Sequence, residues 1–206
     1  MQAKKRPTIV VLAAGLGSRF AAQSGNATHK LEQVMGAATV LGCTLGNVIA
    51  SGCPCVVVTT QRLVALACGL VALRDLVVVS DDQARRGVGH SIATGVAERP
   101  DASGWLILPG DMPLVAPQSM LAVADALADH AVAFTQYRGR RGHPVGFAAE
   151  LFSDLVRLDG DEGARRIVAR YPAHAVSVDD PGVLVDIDTP SDLDAALRAR
   201  DGVHLT

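Results

Sequence analysis

Aromatic side chains are scarce: Phe, Trp and Tyr make up 3% of the 206 residues. With hydrophobic residues at 49%, the core must be built from Val, Leu, Ile and Ala. Such aliphatic runs suit a parallel sheet covered by helices on both faces. An excess of one charge is also missing. The net charge is −2 with no long basic tract, which argues against nucleic acid as a partner, so any attraction for a polyanion must be local. No apolar stretch approaches the roughly 20 residues a membrane span needs. The basic opening Met1 to Pro7 precedes no signal-type apolar core, because Ile9 to Ala14 is short and Gly15 to Arg19 breaks it. A cytoplasmic location is expected. Cysteines are few, at positions 43, 53, 55 and 68, and Cys53-Pro54-Cys55 lacks the spacing of a zinc knuckle or a thioredoxin site. These thiols are expected to be small core residues. The length fits one domain, residues 1–206, with a sizeable core.

Against these absences stands a regular alternation. Ile9 to Leu12 reads as a buried strand that runs into Ala13-Ala14-Gly15-Leu16-Gly17-Ser18-Arg19. A helical pattern covers Val34 to Ala50, a strand Cys55 to Thr60, a helix Leu63 to Leu70 and a strand Leu76 to Val79. Further strands are expected at Trp105 to Leu108 and Val132 to Phe134, with a helix over Met120 to Leu127. This rhythm predicts a three-layer, Rossmann-like α/β fold with a mostly parallel central sheet and right-handed crossovers. Ligands of such sheets gather at the carboxyl ends of the strands.

The predicted strand ends carry the chemistry. Small residues after the first strand let backbone N–H groups approach an anion, and Arg19 and Lys30 bring two cations there. A triphosphate cradle and a tight loop with two solvated cations both fit. It is not a P-loop, because Ser18-Arg19 follows Gly17, nor a dinucleotide fingerprint, because Phe20 stands where a third glycine is needed. Ser80-Asp81-Asp82 ends another strand. Gly87-Val88-Gly89-His90-Ser91 opens a helix, with Ser91 either a helix cap or a ligand contact. Asp111, in Pro109-Gly110-Asp111-Met112-Pro113, ends an apolar strand and suits Mg²⁺, which takes one or two carboxylates besides phosphate and water. Tyr137 to Phe147 reads as a glycine loop carrying three arginines, either an anion-binding lip or a solvated hairpin tip. Asp161 either caps a helix over Glu162 to Arg170 or lines a pocket. Val183 to Ile187 reads as a short strand, with Asp186 and Asp188 on one face, before a final helix started by Thr189-Pro190.

These motifs, in this order, resemble the nucleotidyltransferases of the molybdenum-cofactor type. LAAGLGSRF at Leu12 to Phe20, followed by Lys30-Leu31, is similar to their opening signature, and the likeness runs from Val10 to Leu193. The chain is most similar to the branch that transfers cytidylyl groups. Guanylyl-transferring relatives read Ala-Gly-Gly where this chain has Ala13-Ala14-Gly15, and the extra methyl tilts the reading to CTP. The resemblance implies nucleotide contacts at Leu12, Ala13, Ala14, Gly15, Gly17, Ser18, Arg19, Lys30, Asp81, Gly87, Gly89 and Ser91. It implies catalytic roles for Arg19, Lys30 and Asp111, with Mg²⁺ (or Mn²⁺) held by Asp111 and by Asp188 or Asp186. RGHPVGF and GDEGAR are similar to elements on the acceptor side, implying Arg141, His143 and Asp161 there. A nucleotide-binding half over 8–110 and an acceptor half over 111–200 follow. The sequence departs from the signature after Arg19, where Phe20-Ala21-Ala22 displaces the next glycine to Gly25 and lengthens the spacer to Lys30. Flexibility of Gly25, Asn26 and Thr28 is expected. The implied reaction moves CMP from CTP to the terminal phosphate of molybdenum cofactor, with transient contact to a molybdenum hydroxylase or its maturation factor. Alternatives are GTP as donor, another small phosphorylated acceptor, or a non-catalytic cofactor carrier.

Overall fold

The computed structural model describes residues 5–24 and 28–200. Gly25 and Asn26, expected to be flexible, lie outside the described residues. The β-branched runs form strands β1 (Thr8–Ala13), β4 (Cys55–Thr60), β5 (Leu76–Val79), β6 (Gly104–Pro109), β7 (Val132–Tyr137), β8 (Arg140–Ala148) and β9 (Ala173–Ser177). They make one seven-stranded sheet in the order β5-β4-β1-β6-β8-β7-β9. Pairing is parallel except that β8 runs against both β6 and β7. Two two-residue strands, β2 (Val34–Met35) and β3 (Ala38–Thr39), form a separate small hairpin.

Helices α1 (Ser18–Ser24), α2 (Val40–Ala50), α3 (Val64–Cys68), α4 (Asp81–Ala84), α5 (Val88–Ala97), α6 (Pro117–Ala126), α7 (Phe152–Leu155), α8 (Arg165–Arg170) and α9 (Pro190–Arg200) complete the chain. Side-chain alternation along β1 divides the core. Ile9, Val11 and Ala13 pack with Leu41 and Leu45 of α2 and Val123 of α6. Val10 and Ala14 pack on the other face with Ile92 and Val96 of α5. The fold is therefore three-layered, with a mostly parallel sheet covered on both faces. The core is chiefly aliphatic, but three scarce aromatics are placed deep within it: Phe20, Trp105 and Phe147. Burial of Phe20 contributes about 1.5–3 kcal/mol. It anchors α1, which at seven residues is too short to persist alone.

Several expected elements differ. The helix predicted from Val34 begins only at Val40, because Gly36, at φ +70°, turns the chain into the β2–β3 hairpin. The arginine-bearing segment is no loop. Arg138 and Gly139, both at positive φ, make a two-residue turn, and Arg140 onward is β8. Asp161 does not cap a helix: α8 starts at Arg165 with Ala164 before it, and Gly163 at φ +58° separates Asp161 from the helical path. Residues 183–188 are not a strand; a 3₁₀ turn over Pro181–Leu184 leads into an irregular segment. Among the cysteines only Cys53 is fully buried, and Cys68 is exposed at the end of α3. No helix among the described residues is long and apolar enough to cross a membrane.

Candidate active site

The parallel order of β1 and β6 brings their carboxyl ends side by side. Gly110 extends the pairing, its N–H donating to the Leu12 carbonyl at 2.8 Å. Thr44 of α2 donates its hydroxyl to the Gly110 carbonyl at 2.9 Å, and Asn47 donates to the Pro113 carbonyl at 3.0 Å. Asp111 is thus held from the strand side and the helix side.

Asp188 arrives from the other end of the chain. The Ile187 N–H donates to the Asp111 carbonyl at 3.0 Å, which ties the two aspartates by backbone. Ile187 itself is fully buried, so Asp188 is carried to the rim. Thr189 caps α9: its hydroxyl accepts from the Asp192 N–H, and Asp192 Oδ2 accepts from the N–H groups of Thr189 and Asp188. Asp180 adds a further brace, accepting from the Ala116 N–H, the Ser119 hydroxyl and the Gly182 N–H.

Lys30 sits between the two carboxylates. Its Nζ is 2.5 Å from Asp111 Oδ2 and 2.7 Å from Asp188 Oδ1. Arg19, exposed on α1, pairs with Asp188 Oδ2. Burial alone lowers the Lys30 pKa, but the charges and hydrogen bonds of Asp111 and Asp188 outweigh it and hold the value above the ordinary one. The hydrogen bond from Lys30 holds the Asp188 pKa below the carboxylate range, against partial burial and with help from Arg19. Asp186 behaves oppositely: burial and then the nearby Asp111 and Asp188 carboxylates push its pKa up.

Two carboxylates and one ammonium therefore share a small volume, and Asp186 is near enough to feel their charge. Asp111 Oδ1 is buried without a hydrogen-bond partner, which is what a coordinating oxygen awaiting its cation looks like. No three His, Cys, Asp or Glu side chains converge as a closed metal cage among the described residues. That donor set fits magnesium or manganese bound by one or two carboxylates with phosphate and water completing the shell.

Other expected site residues fall into two groups. Gly15, Gly17, Ser18, Arg19, Lys30 and Asp188 line one cleft at the loop mouth. Ala13 and Ala14 are buried beneath it, the Ala14 methyl packing on the α5 side of the sheet. A second cavity of about 470 Å³ opens between α5, β8 and the turn before α8. Leu12, Arg141, His143, Asp161 and Arg165 are on its walls, with Phe147 among the apolar residues. Burial and then the Arg141 charge lower the His143 pKa, while the Asp111 charge opposes them, so this cavity adjoins the carboxylate cluster. Burial also lowers the Arg141 pKa, and its guanidinium stacks 4.5 Å from the Phe134 ring centre.

Asp81 is exposed in the first turn of α4, beyond the end of β5. Gly87 and Gly89 meet the 159–161 segment rather than open space. A Cβ on Gly89 would stand 2.7 Å from the Asp159 carbonyl oxygen, and its N–H already donates to the Gly160 carbonyl at 2.8 Å. Ser91 is buried inside α5 and does not cap it.

Residues 9–176 match the family described as MobA-like NTP transferase domain. The chain belongs to that family. A relative within reach of sequence comparison is the purine catabolism protein PucB of Bacillus subtilis (strain 168), 37% identical over 121 residues. That alignment covers 56% of this chain and 58% of PucB, so the match spans less than two thirds of this relative. Among solved structures, Rv0371c from Mycobacterium tuberculosis H37Rv superposes with a TM-score of 0.79 at 29% identity, over 94% of this chain and 98% of that one. Rv0371c also has a structure in complex with manganese. A nucleotidyl transferase from Methanothermobacter thermautotroptrophicus, Mth528, superposes at 0.76 with 28% identity, covering 95% and 96% of the two chains.

Within this MobA-like frame, sequence reasoning missed His29, Thr44, Asn47, Asp180 and Asp192. Asp192 was legible in principle, because Thr189 and Asp192 have the spacing of a capping box. His29 carries only its place beside Lys30. The others act through backbone contacts with distant segments and leave no local signal.

Proposed function

We propose that this protein transfers CMP from CTP to the terminal phosphate of molybdenum cofactor, releasing pyrophosphate. The observation that carries the reading is the convergence of Arg19, Lys30, Asp111 and Asp188 beside the glycine loop. Membership of the MobA-like NTP transferases supports nucleotidyl transfer, and the resemblance of Ala13-Ala14-Gly15 to the cytidylyl-transferring branch supports CTP.

In the reaction, an oxygen of the acceptor phosphate bonds to the α-phosphorus of CTP as the bond to the departing pyrophosphate breaks. A phosphate nucleophile is already anionic near neutrality, so no strong general base is needed. What remains is alignment and charge repulsion. The glycine loop and Ser18 receive the triphosphate through backbone N–H groups. Arg19 and Lys30 offset the charge of the departing pyrophosphate. Asp111 and Asp188 would hold Mg²⁺ or Mn²⁺, which supplies further charge neutralisation and a template for the phosphates; the manganese-bound Rv0371c structure supports such a cation. The cavity between α5 and β8 offers the acceptor an apolar wall, with Arg141, Arg165 and a neutral His143 for its polar groups. The pairing of Lys30 with both carboxylates favours an enzyme over a carrier, because cofactor carriage alone needs no such charge cluster.

The deciding experiment measures pyrophosphate release by purified protein with Mg²⁺ and molybdenum cofactor, comparing CTP, GTP, ATP and UTP. Turnover with CTP alone is the expected result. Turnover with GTP instead keeps the mechanism and overturns the base assignment. No turnover with any of the four, from folded protein, points to a different phosphorylated acceptor or to carriage of the cofactor.

A further inference from the structure

A buried histidine stands between the glycine loop and Lys30. The Leu31 N–H donates to His29 Nδ1 at 3.2 Å, so Nδ1 carries no proton. In the neutral ring the proton is then on Nε2, which donates to the Gly15 carbonyl oxygen at 2.8 Å. The same ring lies against Gly17, whose φ is +64°. A Cβ at Gly17 would come within 3.0 Å of His29 Nε2 and 3.1 Å of Cδ2. One imidazole therefore touches both glycines of the loop, and the next residue in the chain is Lys30. The ring's own backbone is anchored too. The His29 N–H donates to Glu32 Oε2 at 2.9 Å, and Glu32 Oε2 accepts from Arg62 Nη2 at 2.7 Å.

The spacer between Arg19 and Lys30 explains why such a brace matters. A longer connection leaves its far end more conformations to lose when the site assembles. The His29–Gly15 hydrogen bond closes that connection locally, across fourteen positions of sequence. We propose that His29 is a positioning residue: it sets the distance between the triphosphate-binding loop and Lys30, so that a nucleoside triphosphate meets a preformed loop. This rests on the nucleotidyl-transfer reading above. His29 touches no reacting atom. The charged groups that face it are Lys30, Glu32 and Arg62. Burial keeps the ring neutral, the state that the bond accepted by Nδ1 requires, with Arg62 and Lys30 acting in the same direction and the Gly15 hydrogen bond and Glu32 opposing them.

Two isosteric variants separate the two hydrogen bonds. In His29→Asn the amide oxygen falls near the position of Nδ1, keeping the cap on Leu31 but losing the reach to Gly15. In His29→Gln the amide nitrogen falls near the position of Nε2, keeping the donor to Gly15 but losing the cap. Calorimetric binding of CTP with Mn²⁺ and amide exchange over residues 12–20 are measured for both variants and the wild type. His29→Asn is expected to bind CTP about 5- to 10-fold more weakly, the effect of one lost hydrogen bond. His29→Gln is expected to stay within about twofold of the wild type for CTP while melting at a lower temperature. The reverse order, with affinity following the cap on Leu31, overturns the proposal and makes His29 a turn cap only. Should the wild type bind no nucleoside triphosphate, the nucleotidyl-transfer reading fails, and exchange decides the role of His29. Faster exchange over 12–20 in His29→Asn than in His29→Gln then supports the brace, and equal exchange overturns it.

Discussion

The Lys30 ammonium stands 2.5 Å from Asp111, a residue 81 positions later in the chain, and also 2.7 Å from Asp188, which is 158 positions away. A single cation thus joins three segments that share no local sequence relationship. It occupies the space between the two carboxylates that a divalent cation would share, so metal binding and the position of Lys30 are coupled.

Replacing Lys30 by methionine should expose that coupling. The side chains of Lys30 and Asp111 are 13% and 15% exposed, so the variant leaves a poorly solvated Asp111 without its cation and Asp188 with Arg19 alone. A loss of roughly 2–4 kcal/mol is expected in metal-free buffer, less than a wholly buried pair would cost because Asp188 is partly solvated. Added Mn²⁺ should recover more stability in Lys30→Met than in the wild type, where the ammonium competes for the carboxylates. Thermal melting with and without Mn²⁺ reads both effects. Equal stabilisation of the two proteins would count against competition.

Asp111→Asn should spare the fold and remove turnover. The backbone bonds that seat Asp111 come from its own carbonyl and from Gly110, not from its carboxylate. A fall of about 10²–10³-fold or more in pyrophosphate release is expected when a charge aligned with the transferring phosphates is removed. Undiminished turnover in a folded variant would remove Asp111 from the chemistry.

Acid should weaken the cap on Leu31 through His29. Burial holds the pKa of the folded ring below the ordinary histidine value of 6.5. Between those two values the unfolded chain binds the proton and the folded chain does not, so stability rises with pH there. The contribution of His29 is fully present above pH 6.5 and is lost as pH falls through the folded pKa. Protonation at Nδ1 costs the ring its cap on Leu31 but leaves the Nε2–H donor to Gly15. Wild-type stability should therefore drop on acidification below that value, while CTP affinity changes little through this group. His29→Gln should lack this part of the drop in stability. Identical acid limbs in the two proteins would assign the titration elsewhere.

Thiol chemistry should be selective. Cys68 is exposed, whereas Cys53 is buried and burial pushes the Cys55 thiol up to about 11. A thiol-disulfide reagent at neutral pH should modify Cys68 first and leave Cys53 and Cys55 unmodified until the protein unfolds. Mass mapping of the first modified peptide tests this. Early modification of Cys55 would show that the amino end of β4 opens readily.

The legible parts of the site were those with a strong local cause. The strand run before Ala13 and the turn at Gly15 to Gly17 are dictated by neighbouring residues, as is the lone carboxylate after Trp105 to Leu108. The less legible parts depended on what lay opposite. Tyr137 to Phe147 reads as a glycine loop because three arginines and three glycines obscure its period, yet Arg140 onward is a strand once β6 and β7 lie on either side. The aspartates near the end of the chain read as a strand, but Gly182 and Val183 pack against Leu114 and Gly142, and the segment follows those contacts instead.

Composition and periodicity alone determined an aliphatic, mostly parallel α/β sheet with glycine and carboxylate residues at its strand ends. Those features follow from side-chain volume, β-branching and the short range of backbone sterics. Only the tertiary structure decided that Lys30 pairs with Asp111 and Asp188 and that His29 braces Gly15 and Gly17. It alone also placed the backbone of the 159–161 segment against Gly87 and Gly89. Each of these joins residues distant in sequence through hydrogen bonds or charge interactions a few ångströms long. Such contacts exist only after the strands have been ordered and the loops brought to one rim.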